Sequence, residues 1–196
     1  MKFHSITFKL LFFIVCAFIL TTVFVLALAD IQLKRILDSS QESIFQEKID
    51  SIIGSLERHN ERLNKTGLVE AYEEDFKALA LKNLAQTFER ARQNNVSLFI
   101  VDTKGTIISH SNMPKGKTAP IVSDCNGEIL KSPGGRFDYN CQGQARWCIY
   151  KRFAPWNWVV GYTVSLDIKY ADARVFSTLM FFIMAGISLL VAVLLS

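Results

Sequence analysis

The chain has 196 residues, half of them hydrophobic, with 22 Lys and Arg against 18 Asp and Glu. The two kinds of residue are segregated, apolar at the ends and charged in the middle, which excludes a single evenly mixed soluble domain. Basic and acidic residues alternate through the middle without a long run of one sign, which argues against a nucleic-acid surface.

Residues 1–9 form a short tail with Lys2 and Lys9 and no acid, the pattern of a segment kept in the cytoplasm. Residues 10–29 carry no charge and, as a helix rising 1.5 Å per residue, span about 30 Å, the thickness of a hydrocarbon core. Ala27-Leu28-Ala29 resembles a signal-peptidase site. The apolar run is longer than a signal core and the helical pattern continues through Asp30, so an uncleaved anchor is expected. Residues 30–172 are then an exported domain, and residues 173–196, uncharged from Val175 onward, a second span. The expected topology is two-pass in a plasma membrane, the central domain outside.

Within the exported domain, Ile31 to about Leu63 reads as a long amphipathic helix continuous with the first span. Leu33, Leu37, Ile44, Phe45, Ile49, Ile52, Ile53, Leu56 and Leu63 fall mostly at three- and four-residue intervals along it. Asn64 to Gly67 breaks it, and a second helix is predicted from Val69 to Gln93, with Tyr72, Phe76, Leu79, Leu84 and Phe88 on one stripe. Val96–Val101 and Thr106–His110 are β-prone runs joined by Asp102-Thr-Lys-Gly105, a hairpin signal in which Gly105 supplies a positive φ. Residues 112–135, rich in Pro, Gly, Lys and Ser, form a connection long enough to be a functional cover or partly structured. Three more strands follow: Arg136–Asn140, Gln144–Phe153 after the Gln142-Gly143 turn, and Trp158–Ser165 after Ala154-Pro155-Trp156-Asn157. The fold class is therefore α+β, a five-stranded antiparallel sheet with its helices gathered before it, flanked by two transmembrane helices.

Two stretches, LFIVDTKGTIISHSN and GGRFDYNCQGQARWCIYKRFAPWNWVVGYTVSLDIKY, together with the two flanking spans resemble the single Cache domains of bacterial sensor proteins, extracytoplasmic relatives of the PAS fold. The likeness covers most of Ile31 to Tyr170 in order and spacing; the helical half matches only in pattern. It implies a long N-terminal helix across a PAS-like sheet. It also implies a pocket for a small carboxylate, amino acid or amine on one sheet face, beneath the connection between the second and third strands. In such receptors the second membrane helix leads to a kinase, a chemoreceptor rod or a cyclic-dinucleotide enzyme. Here the sequence stops at Ser196, so the expectation is either a longer receptor or a signalling partner reached through the membrane.

Strand alternation puts Arg146, Cys148, Tyr150 and Arg152 on one face and Trp147, Ile149, Lys151 and Phe153 on the other. If apolar helices cover one face, the first set faces the ligand side. There Arg146 and Arg152 offer guanidinium donors to a carboxylate and Tyr150 a hydroxyl, with His110 and Tyr139 approaching from neighbouring strands. The alternative is that the arginines are solvated at the sheet edge and His110 is an ordinary hydrogen-bonded histidine. Trp156 and Trp158 read as core residues.

Cys16 lies in the first span, whereas Cys125, Cys141 and Cys148 are exported, where disulfides persist. Cys141 and Cys148 flank a turn and are candidates to face one another across it. Cys125 is the alternative partner, pinning the long connection to a strand, with Cys125–Cys141 slightly favoured. The three histidines are scattered and no P-loop, nucleophile elbow or metal-ligand spacing is present, so neither catalysis nor a metal or other cofactor is expected. The leading expectation is a small-molecule sensing input of a homodimeric receptor. Its rivals are a ligand-free dimerisation module that regulates a partner receptor and a thiol redox sensor.

Overall fold

A computed structural model describes residues 6–124, 127–141 and 143–194. The chain divides into two units, Ser40–Lys169 and the pairing of Met1–Ser39 with Tyr170–Ser196.

Helix α1 runs Ile6–Lys65, 60 residues interrupted by no proline and a single glycine, Gly54. It ends where expected: the Thr66 hydroxyl donates to the Leu63 carbonyl at 2.7 Å and Gly67 turns the chain at φ +69°. The predicted second helix is two helices, α2 (Val69–Asn83) and α3 (Ala85–Gln93), hinged at Leu84. The hinge resets the buried stripe to Ala80, Leu84, Phe88 and Ala91 and leaves Tyr72 and Leu79 exposed. Asn83 Nδ2 meets the buried His59 Nε2 at 3.0 Å and ties α2 to α1.

The sheet comprises β1 (Ser97–Asp102), β2 (Ile107–His110), β3 (Gly134–Cys141), β4 (Gln144–Phe153) and β5 (Trp158–Ser165) in the order β2-β1-β5-β4-β3, antiparallel throughout. β4 and β5 match their predicted limits, and β5, flanked on both sides, is buried along its whole length. The helices take one face: Phe45, Ile49, Ile52 and Leu56 of α1 pack with Leu98, Ile100, Trp147, Val160 and Val164. Ile49 and Leu56 are fully buried, each contributing about 1.5–3 kcal/mol by leaving water. Phe153, Trp156 and Trp158 stack edge to face at the β4–β5 connection, where Asn157 adopts the left-handed conformation. After β5 comes the short α6 (Leu166–Lys169), whose buried Lys169 sets its ammonium 4.4 Å from the Trp147 ring centroid.

The long connection is partly structured, with α4 (Pro120–Asp124) and α5 (Glu128–Lys131) laid over the other sheet face. Ala119, Ile121 and Ile129 are buried there with Phe99, Val101, Cys148 and Val159. The β3–β4 register sets Cys141 opposite Gln144 and Cys148 opposite Phe137. The two cysteines are therefore separated by four residue steps, roughly 13 Å, along the ladder, too far for the cross-strand bridge considered above. Cys125 lies outside the described residues, and so does Gln142 of the β3–β4 turn.

In the other unit, α7 (Ala171–Leu194) accompanies the first part of α1. Tyr170 donates to Asp38 Oδ1 at 2.5 Å and Ser177 to Asp30 Oδ1 at 3.0 Å. Large apolar side chains stand exposed on both helices, among them Phe13, Leu20 and Phe24 on α1 and Val175, Phe182 and Leu189 on α7. Among the described residues, α1 is the one helix found long and apolar enough to cross a membrane.

Gly105 joins the hairpin to the cover. Asp102 Oδ1 accepts from the Lys104 and Thr106 amides at 2.8 Å, and Gly105 closes the turn at φ +81°. A Cβ there would lie 2.8 Å from Val122 of α4. Gly105→Ala is therefore expected to cost about 1–3 kcal/mol, read as a lower thermal midpoint of the detergent-solubilised chain; an unchanged midpoint contradicts this packing.

Candidate functional site

The second face of the sheet is apolar at one end and polar at the other. The apolar end is closed by α4 and α5. At the polar end the strands supply Ser97 and Phe99 from β1, His110 from β2, Tyr139 and Cys141 from β3, Arg146 from β4 and Thr163 from β5, around a cavity of about 210 Å³. Asn112, Met113, Ala119 and Ile121 roof it from the connection that follows β2. That volume lies below the roughly 300–1,000 Å³ of sites for drug-sized ligands and suits a molecule of few heavy atoms.

Glycine shapes the floor. Gly161 of β5 pairs with Phe99 on one side and Tyr150 on the other. A Cβ on Gly161 would fall 2.4 Å from Phe99 Cζ and 2.8 Å from the Ile149 carbonyl. Its absence lets the phenyl ring lie across the strand.

Arg146 is the hub of the polar groups. Its Nε donates to Thr163 Oγ1 at 3.3 Å, its Nη1 to Gln144 Oε1 at 3.2 Å and its Nη2 to Ser97 Oγ at 3.5 Å. Thr163 also shares a 2.8 Å bond with the Tyr139 hydroxyl, and Asn112 Nδ2 donates to Ser97 Oγ at 3.3 Å. All these acceptors are neutral, and among the described residues no carboxylate pairs with Arg146. Burial pushes the Tyr139 phenol up to about 12, so it stays a neutral donor. Burial first, and then the Arg146 charge, depress His110 to about 4 and hold its ring neutral. The Asn112 amide donates to His110 Nδ1 at 2.9 Å, which leaves Nε2 to carry the ring proton. The chemistry on offer is one guanidinium among neutral donors, a setting for an anion.

Three of the five residues singled out from the sequence, His110, Tyr139 and Arg146, thus share one cavity. Tyr150 and Arg152 lie on the same strand face and do not line it. Tyr150 is buried edge-on against Phe137, with ring centroids 5.9 Å apart. Arg152 Nη2 donates to the Leu130 carbonyl, and the Arg152 amide to the Pro133 carbonyl at 2.8 Å, so this residue clasps the cover. Sequence reasoning missed Ser97, Asn112 and Thr163. A lone hydroxyl or amide on a strand or loop carries no signal until register places it beside an arginine. Among the described residues no cluster of His, Cys, Asp or Glu is arranged to hold a metal ion.

Comparison with solved structures places this fold. A periplasmic sensor domain of a chemotaxis protein superposes with a TM-score of 0.54 at 16% identity, over 66% of this chain and 97% of that one. A Cache chemosensory domain described for its carboxylic acid recognition superposes with a TM-score of 0.50 at 18% identity, over 68% of this chain and 98% of that one. No protein-family model and no curated protein sequence matches the chain. At these identities the likeness concerns architecture: this is the Cache fold of sensor domains, a long N-terminal helix against a five-stranded PAS-like sheet.

Folding lowers the His110 pKa from 6.5 to about 4, so in that window the unfolded chain binds the proton more readily. The contribution of neutral His110 to stability is complete above about pH 6.5 and is lost as pH falls towards about 4. The thermal midpoint of the wild type is expected to drop more between about pH 7 and about pH 5 than that of His110→Gln. Parallel pH profiles would overturn this assignment.

Proposed function

We propose that this protein is the extracytoplasmic sensing input of a bacterial transmembrane receptor and that its sheet-face pocket binds a small carboxylate. The observation that carries the reading is Arg146, a partly buried guanidinium surrounded by neutral oxygens at a cavity none of whose described lining residues is acidic. A carboxylate entering there gains charge-assisted bonds from Arg146 and neutral ones from Tyr139 and His110, while Phe99, Met113 and Ile121 receive a short apolar tail. An ammonium group would find no counter-charge among the described lining residues and would lose hydration, so amines and zwitterionic amino acids are disfavoured. The carboxylic acid recognition described for the Cache domain above supports this choice.

In this reading residues 10–29 and 173–196 cross the inner membrane, residues 1–9 are cytoplasmic and the domain of residues 30–172 faces the periplasm. Two copies pair through α1. The ligand touches β4 and β5 together with the segment after β2, and β5 runs through α6 into α7. A shift of an ångström or two in β5 would bias α7 between two arrangements, and a coupling of about 1–3 kcal/mol changes populations usefully. A cytoplasmic signalling partner or output region would read that bias.

Titration of the detergent-solubilised chain with acetate, propionate, alanine and ethylamine tests the reading. The carboxylates are expected to raise the thermal midpoint with saturation, and Arg146→Gln to weaken them by about tenfold or more. Equal stabilisation by ethylamine, or an unchanged response in Arg146→Gln, would sink it.

A further inference from the structure

The helix-covered side of the domain holds a second feature, a groove of about 470 Å³ between α1 and the α2–α3 pair. Its walls carry Lys48 and Arg58 from α1 and Arg90 from α3, and none of its described lining residues is acidic. Elsewhere on the same helices acids and bases neutralise one another: Glu42 pairs with Arg136, Asp50 with Lys151 and Glu89 with Arg92. The three groove cations enter no ion pair among the described residues. Lys48 instead lies 5.1 Å from the Phe45 ring centroid. Three like charges converging on one concavity repel each other, and a bound anion relieves that repulsion.

A second, independent observation lies at the base of the groove. Tyr162 is only 4% exposed, packed at 5.3 Å between ring centroids against Phe45, yet its hydroxyl has no hydrogen-bond partner among the described residues. Burial pushes this phenol up to about 12, so it remains a donor without an acceptor. That hydroxyl is not sealed from solvent: it opens onto the cationic groove, where it can donate to a ligand oxygen. Ser51 and Thr87 add hydroxyls on the two walls.

We propose that this groove is a second ligand site, distinct from the sheet-face pocket, for a small multiply charged oxyanion such as a phosphate group or a dicarboxylate. Arg58 and Arg90 grip its oxygens from opposite walls, and Tyr162 donates from below. Because the site joins α1 to α3 it lies on the opposite side of the sheet from Arg146, so the domain can register two anions independently.

Calorimetric titration of the full chain in detergent with inorganic phosphate and with succinate, each against chloride at equal ionic strength, tests the proposal. Saturable binding of phosphate, succinate or both is expected. It should weaken by about tenfold or more in the double variant Arg58→Gln/Arg90→Gln and several-fold in Tyr162→Phe, and persist in Arg146→Gln. Arg58 and Arg90 are exposed, so the double variant should keep the wild-type thermal midpoint and report on binding alone. No saturable binding of either anion, binding unchanged in the double variant, or binding lost in Arg146→Gln would each overturn it.

Discussion

A sheet has two faces, and the structure of this protein follows from how the helices claim one of them. α1 has too many apolar residues to stand in water, and Ile49 and Leu56 reach zero exposure only by lying across β1, β4 and β5. Once that face is filled, the alternation of the strands leaves a second face that no long helix covers. The connection after β2 must then fold back as α4 and α5 to shelter Phe99, Val101 and Val159. The start of α4 and the segment before it lie over the polar end without filling it, and the space beneath them is the sheet-face pocket.

The electrostatics of that pocket rest on neutrality around one charge. Tyr139 and His110 both titrate far from their ordinary ranges, in opposite directions, and the outcome for each is an uncharged donor. Among the described lining residues Arg146 is left as the lone full charge, held at three points by side-chain oxygens. Hydrogen bonds to neutral acceptors orient a guanidinium without cancelling its field, so the site is preorganised for an anion.

Much of this architecture was legible in the residues. β4 and β5 are bounded by turn-forming Gly143 and Pro155, so their limits could be read directly, and the period of two along β4 gave the face of Arg146. The hinge at Leu84 was not legible because neither Gly nor Pro marks it; the tertiary fit of Leu84 against the sheet decides it. The cysteine geometry depended on register: the tight β3–β4 turn pairs Cys141 with Gln144 and so carries Cys148 four steps away. Ser97, Asn112 and Thr163 come from distant parts of the chain and meet only after the sheet has formed. Tyr150 and Arg152 share Arg146's face, but periodicity gives the face of a strand and not how far along it the roof extends.

The strict alternation along Gln144–Phe153 has a consequence for how such a chain can diverge. Arg146, Cys148, Tyr150 and Arg152 answer to the pocket and its cover, while Trp147, Ile149 and Phe153 answer to the helices. The residues that shape the pocket and its cover and those that hold the helices therefore interleave along one strand. Of the first set only Arg146 lines the pocket, so its lining can change at that one position of the strand while Cys148 and Tyr150 on one face, like Trp147 and Ile149 on the other, are held by packing.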